Sequence, residues 1–121
     1  MKILITGGLG HIGSYVIENI NKINVLKKIY IIDNLSTQRY CSLFNIPASN
    51  KKILFINKDL SLKNSLNSFP KVDVVLNLAS ITDAEASIKI KKKIYKNNLG
   101  IFNNVLKYCK KKSVRLIHIS S

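Results

Sequence analysis

The sequence predicts an α/β fold, a right-handed, doubly wound parallel sheet of about five strands with crossover helices. Short β-branched runs recur along the 121 residues, and apolar residues at helical spacing fall between them. Four of the five glycines also crowd between Gly7 and Gly13, directly after the first run.

The first strand is read at Lys2–Thr6 (KILIT), and Ile12, Val16, Ile17 and Ile20 then recur at helical spacing as the first crossover. The second strand is Lys28–Asp33 (KIYIID). The segment NLSTQRYCSLFNIPASN contains Pro47 and many polar residues, so it reads as a loop with at most a short helix. The third strand follows at Lys52–Ile56 (KILFI), then a short helix over 61–69 (SLKNSLNSF) and a fourth strand over 73–79 (DVVLNLA). Ile101, Val105, Leu106 and Cys109 mark the second crossover helix, before a fifth strand over 114–120 (VRLIHIS). All five strands are apolar on both faces, as strands buried between helix layers tend to be. No repeat, low-complexity linker or second-domain boundary interrupts the chain, which reads as one domain over 1–121.

Composition narrows the function. A hydrophobic content of 46% with 7% aromatics fits one globular core. No apolar run approaches the roughly 18 residues of a membrane span. The N-terminus MKILITGGLG lacks the apolar region and cleavage site of a signal peptide, so a cytoplasmic protein with no membrane partner is expected. Cys41 and Cys109 lack metal-ligand spacing, which predicts free thiols and no metal site. The net charge of +14 would suit a nucleic-acid partner. Its distribution argues otherwise, because the cations are nearly all scattered lysines, with arginine only at Arg39 and Arg115. The densest runs, 89–96 and 107–113, read as solvated helix faces or a helix C-terminus.

The glycines carry the chemistry. Gly8, Gly10 and Gly13 fit GxGxxG, and Gly7, Gly10 and Gly13 equally fit GxxGxxG. A strand, such a turn and then a helix let backbone approach a pyrophosphate with no Cβ in the way, its charge received by amides at the helix start. A nucleoside-triphosphate loop is excluded, because Ser14 and Tyr15 rather than Lys follow Gly13. Asp33 ends the second strand, 20 residues after Gly13. Its carboxylate would accept hydrogen bonds from both adenosine ribose hydroxyls and repel a 2′-phosphate, which favours NAD over NADP. The same DNLS stretch also reads as an Asx-type turn.

These residues resemble the extended short-chain dehydrogenases/reductases, in particular the NAD-dependent nucleotide-sugar epimerases and dehydratases of UDP-glucose 4-epimerase type. TGGLGHIGS is similar to TGGxGxIGS, IIDNLS to the strand end whose Asp binds ribose, and KDL to the segment that contacts adenine. LNLAS resembles H-L-A-A, NNLGIFNNVL resembles N-x-x-G-T-x-N-L-L, and LIHISS resembles the strand that ends in Ser-Ser before the catalytic hydroxyl. The resemblance implies a Rossmann-type fold and cofactor contacts from Gly7, Gly10, His11, Ile12, Gly13, Asp33, Asn34, Asp59, Leu60, Leu78, Ala79, Ser80 and Asn97. Leu78, Ala79 and Ser80 would lie near the nicotinamide-side ribose and pyrophosphate. Leu9, His11, Asn77 and Ile101 depart from the usual residues. His11 reads as a packing or polar contact rather than a catalyst, and Asp73, Asp83 and Glu85 as solvated acids. His118 falls on the side of its strand that Ser120 takes, without being placed to activate it.

The family's chemistry further implies a hydroxyl residue after Ser-Ser and then a Tyr-x-x-x-Lys pair. None of Tyr15, Tyr30, Tyr40, Tyr95 and Tyr108 has that place, and Tyr108 with Lys112 reads as a solvated helix end. The expectation is an incomplete N-terminal NAD-binding domain, truncated after the fifth strand, with no catalytic residue. It binds NAD without turnover, and a nucleotide-sugar substrate belongs to an intact homologue. The alternatives are a stand-alone dinucleotide-binding module with a regulatory or partner-binding role and, more weakly, a basic nucleic-acid-binding protein. An unpaired fifth-strand edge predicts marginal stability or self-association.

Overall fold

A computed structural model describes residues 1–36, 43, 46–81 and 88–119. Its strands are β1 (Lys2–Thr6), β2 (Lys28–Asp33), β3 (Lys52–Asn57), β4 (Val74–Asn77) and β5 (Arg115–His118). They form one parallel sheet in the order β3-β2-β1-β4-β5. Helix α1 (His11–Glu18) and a 3₁₀ turn (Ile20–Lys22) cross from β1 to β2, and α2 (Ile88–Lys112) leads from β4 into β5. The doubly wound α/β fold expected from the sequence is the fold observed.

The pleat sends alternate residues to two cores. Ile3, Ile5, Ile29 and Ile31 pack with Ile17, Ile20 and Leu26 on the α1 side. Leu4, Tyr30, Ile32 and Val75 pack with Ile101, Val105, Tyr108 and Cys109 of α2 on the other. Burial on both faces holds for β1 and most of β2, but not at the sheet edges. The interior positions of β3 are half-buried, and β5 leaves Ile117 46% exposed because no further strand or helix covers it among the described residues.

Three elements depart from expectation, one of them β5, which spans Arg115–His118 rather than 114–120. β4 stops at Asn77 because its register partner Thr6 is the last residue of β1. The helix expected over 61–69 is instead a series of turns, with Ser65 N–H on Leu62 C=O, Asn67 N–H on Asn64 C=O and Phe69 N–H on Leu66 C=O. Asn64 takes a left-handed backbone, φ 59°, which interrupts a helix. The turns deliver Leu66 and Phe69 to the core, where the Phe69 ring meets Tyr30 and Tyr108 edge-on at 5.0 and 5.9 Å. Of the loop expected over 34–50, residues 37–42 and 44–45, Cys41 among them, lie outside the described residues, as do Asp83, Glu85, Ser120 and Ser121.

The lysines of 89–96 and Lys107, Lys110 and Lys111 are exposed on α2, as read from the sequence. Tyr108 corrects the reading of a solvated helix end: it is 4% exposed, and its hydroxyl donates to Pro70 C=O (2.6 Å) and accepts from Val72 N–H (3.2 Å). Burial, partly offset by the Val72 hydrogen bond, raises the Tyr108 hydroxyl above its ordinary pKa of 10.0, and burial raises the Cys109 thiol above 9.0. The folded chain therefore holds these protons more tightly than the unfolded chain. The resulting stability is complete below pH 9 and declines as pH rises through 9 and 10. Melts are expected to show a Tm that falls under alkaline conditions. Tyr108→Phe should start about 1–2 kcal/mol less stable, because Val72 N–H loses its acceptor, and should decline less steeply with pH. A parallel alkaline decline in the variant would exclude Tyr108 as a source.

Among the described residues, no helix is long and apolar enough to cross a membrane, and no three metal-ligating side chains cluster.

Candidate functional site

In an open parallel sheet the ligand crevice lies beyond the carboxyl ends of the strands, where neighbouring connections diverge to opposite faces. Here β1 is central, with β2 on one side and β4 on the other, and a cleft opens where all three end. It is lined by Gly7 and Gly10 of the glycine turn, Ile32, Asp33, Asn34 and Ser36 after β2, Lys58 and Leu60 after β3, Leu78–Ile81 after β4, and Asn97 and Ile101 of α2.

The glycines divide by role. Gly7 has φ +67°, and a Cβ there would lie 2.7 Å from Ala79 N and 2.8 Å from Ala79 Cα. A Cβ at Gly13 would lie 2.6 Å from the carbonyl oxygens of Gly7 and Gly8, so its bareness seats α1 on the turn. Gly8 is buried, and a Cβ there would run into the Ile31 side chain. Gly10 differs: the one close atom is Gly7 O at 3.3 Å. Packing does not demand its bareness, and it faces the cleft, as a cradle for a ligand's backbone-bound group requires. The two phasings differ only at their first glycine, and of that pair Gly7 lines the cleft while Gly8 belongs to the core.

Asp33 ties the turn to β2. Its Oδ2 accepts from Leu9 N–H (3.0 Å) and its Oδ1 from Leu35 N–H (2.9 Å). Ser36 N–H likewise donates to Asn34 Oδ1 (3.0 Å), so the Asx-turn reading of DNLS also holds. Each Asp33 oxygen keeps further acceptor capacity toward the cleft.

The β4 side is held by a polar chain that runs from buried Thr6 and Asn77 out to exposed His118. Thr6 Oγ1 donates to Asn77 Oδ1 (2.5 Å) and accepts from Ala79 N–H (3.3 Å). Asn77 Nδ2 meets His118 Nδ1 at 3.0 Å, and the His118 ring lies 4.8 Å from that of Phe102. Asn98 clamps the strand exit further along, accepting from Ile81 N–H (2.8 Å) and donating to Ile81 C=O (3.0 Å).

Of the residues singled out in the sequence, Gly7, Gly10, Asp33, Asn34, Leu60, Leu78, Ala79, Ser80 and Asn97 converge on this cleft. Four do not line it. His11 and Ile12 sit exposed in the first turn of α1, Gly13 is buried behind the turn, and the Asp59 carboxylate accepts from Ser61 N–H (2.9 Å) and Oγ (2.6 Å). Asp73 is exposed, and its Oδ2 accepts from Lys2 N–H (2.7 Å). Sequence reasoning passed over Ser36, Lys58, Asn98 and the Thr6–Asn77–His118 chain. Lys58 had a signal, since it directly precedes the Asp59–Leu60 pair. Ser36 lies in the same DNLS stretch as Asp33, whereas Asn98 emerges only once α2 meets the β4 exit and the Thr6–Asn77–His118 chain only once β1, β4 and β5 are aligned.

The chain is similar to known proteins in sequence and in fold. A sequence model described as the NAD dependent epimerase/dehydratase family matches residues 3–121. The bifunctional protein GAL10 of Candida maltosa is 34% identical over 123 aligned positions, covering 98% of this chain and 79% of the relative. The UDP-Glc/GlcNAc 4-epimerase of Campylobacter jejuni superposes with a TM-score of 0.81 at 28% identity over 97% of the chain. The UDP-glucose 4-epimerase of Thermus thermophilus, solved in complex with NAD, gives 0.75 at 26% identity over 96%. The chain spans 36% of the length of each of these two solved proteins.

Proposed function

The chain belongs to the NAD dependent epimerase/dehydratase family, and from that premise we propose that its cleft binds NAD. The carrying observation is the juxtaposition of Gly10, where an added Cβ would meet only Gly7 O at 3.3 Å, with the Asp33 carboxylate in one cleft. The turn from Gly7 to Gly13 would take the pyrophosphate, and Asp33 the adenosine ribose hydroxyls. Leu60 would flank the adenine, with Leu78, Ala79, Ser80 and Asn97 on the nicotinamide side. Asp33 disfavours a 2′-phosphate, which selects NAD over NADP. When bound, NAD supplies a reversible acceptor for the hydride of a sugar carbon that bears a hydroxyl.

The chain's own part is to bind and orient. Moving a proton at a sugar hydroxyl requires a base beside the nicotinamide, and among the described residues no tyrosine lines the cleft. Tyr30 and Tyr108 are core residues, while Tyr15 and Tyr95 are 68% and 69% exposed elsewhere. We therefore infer that the 121 residues by themselves bind cofactor without converting a nucleotide sugar. Titration calorimetry is expected to give saturable one-site binding of NAD, with NADP at least about tenfold weaker. Chromatography of UDP-glucose incubated with chain and NAD should show no product. A folded chain that takes up no NAD at millimolar cofactor overturns the site, and epimerisation above background overturns the missing base.

A further inference from the structure

We propose that His118 is a positioning residue for the cofactor cleft: it holds the Ala79 backbone in place through Asn77 and Thr6. Asn77 Nδ2 carries only donors, so His118 Nδ1, 3.0 Å away, must accept, and the neutral ring carries its hydrogen on Nε2. That contact orients the Asn77 amide so that Oδ1 faces Thr6, whose hydroxyl donates to it at 2.5 Å. With its proton so committed, Thr6 Oγ1 accepts from Ala79 N–H at 3.3 Å. Donation runs in one direction along the chain, Ala79 to Thr6 to Asn77 to His118, and its outer end fixes the rest.

Burial makes the direction matter. Thr6 and Asn77 are 0% and 1% exposed, so no bulk water replaces a lost partner. With the ring hydrogen on Nδ1, Asn77 would have to turn its amide over and present its NH₂ to Thr6, leaving the Thr6 hydroxyl without an acceptor. Ala79 is the residue against which bare Gly7 is seated, and it lines the cleft. Releasing it loosens the strand exit and the glycine turn together. The sequence had set Asn77 apart as a departure and left His118 without a role; the structure pairs them.

The affinity readout rests on the NAD reading above, whereas the other two readouts do not. In the full chain at alkaline pH, imidazole nitrogen NMR is expected to show His118 as the Nε2–H tautomer, with His11→Gln removing the signals of the other histidine. Two variants separate acceptor from ring. His118→Phe keeps an aromatic contact for Phe102 but has no acceptor, while His118→Asn keeps an acceptor near the Nδ1 position without the ring. Ala79 amide exchange should quicken and NAD affinity fall, each roughly tenfold, in His118→Phe and stay near the parent values in His118→Asn. An Nδ1–H tautomer, or equal effects in both variants, overturns the proposal. If the parent binds no NAD, the NAD reading falls, and the tautomer and Ala79 exchange still decide the role of His118. If His118→Phe does not fold, the tautomer together with Ala79 protection in His118→Asn decides it.

Discussion

Gly7→Ala is expected to remove about 3–5 kcal/mol of stability, a large share of the roughly 5–15 kcal/mol typical of a domain. Two costs combine. The left-handed backbone at φ +67° is unfavourable by roughly 1–2 kcal/mol for a residue with a Cβ. The added carbon also falls 2.7–2.8 Å from the backbone of Leu78 and Ala79, which no rotamer change relieves. Relief requires β4 to move from β1, against the paired register of Ile3 to Thr6 with Val74 to Asn77. Gly10→Ala is the contrasting case, because its new Cβ meets Gly7 O at 3.3 Å and little else. It should cost under about 1 kcal/mol of stability yet weaken NAD binding tenfold or more, by filling the cradle rather than breaking the fold. Denaturant melts and calorimetry on the two variants separate these effects. A stable Gly7→Ala protein would show that the turn is not pinned against the β4 exit, and undiminished NAD affinity in Gly10→Ala would remove that residue from the cofactor path.

Asp33→Ala is expected to lower NAD affinity roughly 100-fold, or about 2.7 kcal/mol. One carboxylate has two jobs in the proposed complex. It would receive the ribose hydroxyls, and it already accepts from Leu9 and Leu35 N–H, which keeps the glycine turn against the end of β2. Alanine abandons both amides in a half-buried place, so stability should also fall by about 1–2 kcal/mol. Asp33→Asn keeps one side-chain oxygen and removes the charge. It should lose less NAD affinity, roughly tenfold, and narrow the preference over NADP, because repulsion of a 2′-phosphate goes with the charge. Calorimetry with both cofactors on both variants tests this. An unchanged NAD to NADP ratio in Asp33→Asn would show that Asp33 does not set the preference.

How far the molecule was legible depended on whether the deciding contact was local. β1 and β2 fall where the β-branched runs place them, and Asp33 ends β2, because period and burial on both faces are written into adjacent residues. The span 61–69 was not legible in this way. Its leucines suggest a helix, but Phe69 is placed by the rings of Tyr30 and Tyr108, which come from a distant strand and helix. Tyr108 looked solvated beside its lysines because the sequence does not show that Pro70 and Val72 pass across its hydroxyl.

The candidate site divides the same way. The sequence by itself determined the fold class, the family, the glycine turn and the acid that ends β2, since each is a short-range pattern whose spacing carries its geometry. The tertiary structure added that Gly8 sits in the core and Gly13 behind the turn, that Ser36 joins the cleft wall, and that Asn98 and His118 brace its β4 side. The physical reason is the strand order: setting β1 between β2 and β4, with β5 beyond, brings Ile31 onto Gly8, Ala79 onto Gly7 and His118 onto Asn77. Such contacts belong to neighbours in the sheet, and no spacing along the chain encodes them.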